Sequence, residues 1–137
     1  MAKITSGPFF VPLTVDGTIN GEVEFLLIGM KNLANRRAAV IVTVFVCSDI
    51  ALYPVTPPEI EIFRQRVIIP AGDCAVIRLD AGQGTFTGNN MLRVAFEGDT
   101  AADEADGIVV ALSGGKADGR TATSMIFKHE EFIDLGC

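Results

Sequence analysis

The 137-residue sequence predicts an all-β chain, a single-domain two-sheet sandwich of about eight strands with a jelly-roll-like pattern. Three observations lead there. Turn residues recur about every eight to fifteen positions and the stretches between them are β-branched, the spacing of a sandwich or barrel and not of βαβ units. Ala38–Cys47 (AAVIVTVFVC) is apolar at successive positions, so both of its faces are expected to be covered, by a second sheet or by another copy of the chain. No segment carries a 3.6-residue apolar period with caps at both ends.

Taken in order, Pro8 to Val15 is a first extended segment, closed by Asp16-Gly17, and its internal Pro12 removes a ladder donor and places it at an edge. Glu22 to Met30 is a second strand, with Leu26 and Ile28 on one face and Val23, Phe25 and Leu27 on the other. The polar connection 31–37 leads into Ala38–Cys47, and the Pro-rich loop 48–58 follows, in which Pro54, Pro57 and Pro58 exclude helix and central strand. Glu59 to Ile69 changes phase: Ile60 and Ile62 share one parity, Phe63, Val67 and Ile69 the other, which predicts a bulge near Ile62-Phe63. Pro70-Ala71-Gly72-Asp73 is a tight turn, after which Cys74 to Leu79 is expected to return as a hairpin. Beyond the Gly-rich loop 80–90, Met91 to Phe96 alternates cleanly with Leu92, Val94 and Phe96 inward and Arg93 outward. Ile108 to Ser113 and Thr121 to His129 complete the set, the latter with Met125 and Phe127 alternating against Ser124 and Lys128. The expected core is Val40, Ile41, Val42, Val44, Phe45, Leu92, Val94 and Phe96. One domain over 1–137 is expected, with an N-terminal arm (1–12) and a C-terminal arm (130–137).

Composition narrows the function. Forty-nine per cent hydrophobic residues with 20% charged is a folded composition, and a net charge of −6 disfavours nucleic acid and anionic membrane surfaces, both of which need a cationic footprint. No run reaches transmembrane length, and residues 1–8 hold no apolar stretch of signal-peptide length. The expectation is a chain made without a signal peptide, either cytoplasmic or part of a particle or extracellular assembly released by another route.

No motif carries catalysis or a cofactor. Gly114-Gly115-Lys116-Ala117 lacks the spacing of a phosphate loop and reads as a turn. His129 is the single histidine, and no Gly-x-Ser-x-Gly elbow accompanies it, so a triad would need Cys47, Cys74, Ser113 or Ser124 beside it in space. Trp is absent and Tyr53 stands alone, which argues against a sugar-stacking site. The acidic loop 97–107 offers Asp99, Asp103, Glu104 and Asp106 as weak calcium candidates, but the spacing is not that of an EF-hand and a solvated loop tip is the simpler reading. No cysteine pair has zinc-site spacing. The expectation is no enzyme, no cofactor and no metal.

The ends point to assembly. Phe9 and Phe10, framed by prolines, and Phe132, Ile133 and Leu135 are apolar for terminal segments, and Cys137 places a thiol at the last residue. These six residues are the candidate assembly contacts, through strand addition to a neighbour or by docking on the chain's own sheet. The strand pattern is similar to that of jelly-roll subunits of viral capsids and bacterial surface appendages, a likeness of architecture alone. The resulting expectation is a non-enzymatic structural subunit that self-associates into a homo-oligomer or filament. The competing one is a recognition module built from the 48–58, 80–90 and 97–107 loops.

Overall fold

A computed structural model describes residues 2–15, 21–47, 58–82, 84–88, 90–100 and 107–136. They form an all-β sandwich of ten strands: β1 (Ala2–Thr5), β2 (Phe9–Phe10), β3 (Phe25–Asn32), β4 (Ala38–Cys47), β5 (Ile60–Ile69), β6 (Cys74–Asp80), β7 (Met91–Gly98), β8 (Ile108–Gly115), β9 (Phe127–Lys128) and β10 (Ile133–Gly136). The count exceeds the expected eight because the ends contribute short strands. Sheet A runs β10-β1-β7-β4-β5, with β2 also on β7, and sheet B runs β6-β3-β8-β9. Every pairing between these strands is antiparallel. The β4–β5 hairpin stays within sheet A, whereas the connections β3–β4, β5–β6, β6–β7 and β7–β8 each pass between the sheets, as the Greek keys of a jelly roll do.

The two inner faces interdigitate as the alternation requires. Val40, Val42, Val44 and Val46 of β4 and Leu92, Val94 and Phe96 of β7 meet Leu26, Ile28 and Met30 of β3 and Ile108, Val110 and Leu112 of β8, all buried. Ile41 and Phe45 depart from the expected core. They lie on the opposite face of β4 and are half-buried, because sheet A's outer face is covered by long charged side chains and not by another layer.

The bulge stands where the phase change places it. Val44 pairs with Phe63 and Phe45 with Glu61, leaving Ile62 as the extra residue of β5. Two strand expectations are corrected. β6 does not return along β5 but crosses to sheet B and pairs with β3, since Leu79, Ile77 and Ala75 must face the same core from the other side. Residues 121–129 are not one strand: a 3₁₀ turn at Thr123–Met125 drives Met125 into the core before the two-residue β9.

Asn32 is a buried polar junction at the end of β3. Its Nδ2 donates to the carbonyls of Ile69 (2.9 Å) and Arg36 (2.8 Å), and its Oδ1 accepts the Ala34 N–H (2.9 Å). One amide side chain therefore ties the β3–β4 connection to the end of β5, satisfying backbone groups that the ladders leave over. Gly98, with φ +138°, lets β7 run so close to β4 that a Cβ there would lie 2.6 Å from the Ala39 carbonyl oxygen.

Candidate self-association surface

The outer faces of the two sheets differ in kind. On sheet A, register places Lys3, Glu97, Ile41 and Arg66 in one row and Arg93, Phe45 and Glu61 in another. Signs alternate across the strands and the apolar residues lie beneath charged ones, as suits a face in water. Arg93 is its hub: the guanidinium stacks 4.3 Å over Phe45, forks onto Glu59 and donates to Thr5 Oγ1 at 2.9 Å. The hydrogen-bonded Glu59 carboxylate holds the Arg93 pKa above the ordinary arginine value.

Sheet B presents the reverse. Its outward residues form the rows Val76–Gly29–Ala111, Arg78–Leu27–Ser113 and Cys74–Lys31–Val109. Gly29 has no side chain and Ala111 a methyl, so a trough of ≈ 310 Å³ runs along the middle, lined by Gly29, Cys74, Val76, Val109 and Ala111, and continues into a second of ≈ 220 Å³ beside Leu27 and Ser113. Val76 stands on its edge at 68% exposure, more than any other large apolar side chain among the described residues. The charges lie around the rim. Arg78 pairs with Asp80 at 2.7 Å and stacks 4.4 Å over Phe25, and the Lys31 ammonium donates to the Gly72 carbonyl. Among the described residues, those facing outward at the centre of the face, Leu27, Gly29, Val76 and Ala111, include no carboxylate.

The edges are equally unlike. β5 and β6 are both edge strands, each with one neighbour. β5 carries Glu61, Arg64, Gln65 and Arg66 along its length and is bulged at Ile62, two devices that discourage pairing. β6 has no bulge, and its first four residues, Cys74 to Ile77, are uncharged.

The six expected assembly residues separate. Phe9 is buried in the core, 5.1 Å from the Phe127 ring, so it has no surface to offer a partner. Phe10 is exposed at 60%. Phe132 is half-buried, with its ring 5.6 Å from that of Phe96, and β10 pairs with the chain's own β1, so the C-terminal segment docks at home and does not project as an arm. Ile133 and Leu135 remain exposed on that outer strand, and Cys137 lies outside the described residues.

The other candidate sites do not gather. Asp99 Oδ2 accepts the Ala39 N–H at 3.0 Å, while Asp103, Glu104 and Asp106 lie outside the described residues, and among those described no three potential metal ligands cluster. His129 Nδ1 accepts the Val110 N–H at 3.1 Å, which makes it a partner for the β8 backbone. Cys74 sits at the far edge of the same sheet, three strands or roughly 14 Å across, Cys47 belongs to sheet A, and Ser124 Oγ donates to the Phe10 carbonyl. The strand ends that flank the recognition loops also part: Cys47 pairs with Met91 and Val40 with Gly98, so the strand ends next to 48–58 and 80–90 lie at one end of the sandwich and the end next to 97–107 at the other, while 48–57 and 101–106 themselves lie outside the described residues.

The sheet B face is not among the surfaces expected from the sequence. Its signal was present, since Phe25 to Ile28 and Ile108 to Leu112 are apolar on both parities, the same pattern that marks Ala38–Cys47. Comparison of the chain with family models, with curated proteins and with solved structures found no match.

Proposed function

We propose that this protein is a non-enzymatic structural subunit that self-associates into a homo-oligomer or filament, and that the outer side of sheet B is the surface it uses. The observation that carries the reading is the contrast between the two outer faces: one dressed with alternating charges, the other an apolar trough in whose lining Lys31 is the one charged residue among those described, with Arg78, Asp80 and Lys128 around it. A contiguous apolar face of this kind is where proteins meet other proteins. A second copy is the occupant favoured by charge. The chain carries −6, so two copies repel over most of their surfaces, whereas among the outward residues of β6, β3 and β8 the one carboxylate, Asp80, is already paired with Arg78.

Light scattering on the full chain at micromolar concentration tests this. The expected result is a species larger than a monomer, dispersed by Val76→Lys, which sets a charge on the exposed rim of the trough without touching the core. A monomeric full chain ends the proposal. A monomer that binds a different molecule through its 48–58 and 80–90 loops would establish the recognition module instead.

A further inference from the structure

Resting on the self-association reading, we infer that two copies join by antiparallel pairing of their β6 edges across a two-fold axis, so that sheet B continues from one subunit into the next. Among the described residues β6 hydrogen-bonds to β3 alone, leaving its other side with unpaired main-chain groups. Such an edge is a template for another strand unless something blunts it. On β5 the blunting is present along the strand, as the Ile62 bulge and the Arg64-Gln65-Arg66 run; β6 has no bulge, and its two charges, Arg78 and Asp80, stand at one end and pair with each other.

The register follows from parity and charge. Residues directly opposite must point to the same face, so Val76 pairs only with an outward residue of the partner strand: Cys74, Val76, Arg78 or Asp80. A two-fold centred on Arg78 sets two arginines against each other. One centred on Val76 pairs only Cys74 through Arg78. The two-fold centred on Ile77 uses the whole strand, Cys74 to Asp80, and faces no like charges: Val76 opposes Arg78, Cys74 opposes Asp80, and the two Ile77 side chains meet on the core side. Each Arg78 stem then lies along the other copy's Val76, covering the most exposed apolar residue of the face. The two troughs come to lie side by side on one extended sheet, which leaves a doubled apolar surface for further layers.

Cysteine cross-linking at defined positions decides it. Cys47, Cys74 and Cys137 are first replaced by Ser, and Val76→Cys and Arg78→Cys are made separately in that chain. Under mild oxidation the two single variants mixed are expected to give a disulfide-linked dimer as the main product, while either alone gives little, because each residue opposes the other and not itself. Both positions are exposed, so folding is retained, and circular dichroism checks it. An oligomer by light scattering that cross-links no better in the mixture than in either single variant overturns this pairing and leaves self-association standing. A monomer in the parent chain overturns both.

Discussion

The guanidinium of Arg93 grips both carboxylate oxygens of Glu59, Nε to Oε2 at 3.0 Å and Nη2 to Oε1 at 2.7 Å. Arg93 belongs to β7 and Glu59 precedes β5, so the pair spans β4, whose Phe45 lies under the guanidinium. A fork of this geometry is one that lysine cannot reproduce.

Arg93→Ala is therefore expected to lower unfolding free energy by about 1–3 kcal/mol, from a partly shielded ion pair, a cation–π contact and the bond to Thr5. Arg93→Lys should recover less than half of the loss. Because the folded-state pKa of Arg93 is raised, its contribution is present below the ordinary arginine value and is lost only as pH rises through strongly alkaline values. Urea denaturation at neutral and mildly alkaline pH should show the same deficit. A deficit confined to one of them contradicts this account.

Asn32→Ala should cost about 2–4 kcal/mol, more than a surface polar change, because the Ile69 carbonyl and the Ala34 N–H lose their buried partner together. Asn32→Asp keeps the acceptor but removes the donor, and is expected to be no better. Chemical denaturation measures both, and a change under 0.5 kcal/mol, the usual range of a surface substitution, would show that the junction is dispensable.

Shortening the chain to end at Lys128 removes Phe132 from its contact with Phe96 and strips β10 from β1. The expected consequence is a less stable subunit, not a failure to assemble. Phe96→Ala should cost about 3–5 kcal/mol, as a fully buried ring, and combining it with Phe132→Ala should cost less than the sum, since the rings touch. Additive losses in this double-mutant cycle would contradict the contact.

Acid should loosen the turn after β8 ahead of the body of the sandwich. The Glu24 carboxylate accepts the Ala117 N–H (3.1 Å) and pairs with Lys116 (3.2 Å), and Asp118 is bonded to Arg120 (2.9 Å); these partners hold both pKa values below the ordinary carboxylate range. Depressed values mean that the contribution is present above the unfolded-state pKa and lost as pH falls through the folded one. The Ala117 and Arg120 amide resonances should titrate with midpoints below those of free carboxylates. In Glu24→Gln the Ala117 transition should vanish while that of Arg120 persists.

Much of the fold was legible because it depends on local chemistry. The period-2 alternation of Leu92, Val94 and Phe96 has one meaning wherever the strand lies. The phase change between Ile62 and Phe63 has one remedy, and the bulge stands there. The apolar run of β4 announced burial on its inner face at Val40, Val42 and Val44, but not that Ile41 and Phe45, expected in the core, would be only half-buried under the charged side chains of the outer face.

What the residues by themselves determined, then, was strand identity, facing and the two-sheet class. Which strand lies beside which was decided in three dimensions. β6 follows β5 after a four-residue turn, and nothing local distinguishes a hairpin from a crossing to the other sheet; the need of Leu79, Ile77 and Ala75 to reach the common core does. The same holds for the surface proposed here. Val76, Gly29 and Ala111 are far apart in sequence, and only the β6-β3-β8 register sets them in one row. The two readings of the C-terminal segment, docking on its own sheet or addition to a neighbour, stayed open for a matching reason: an apolar end must be covered, but which sheet covers it depends on a vacant edge, and β1 supplies that edge within the chain.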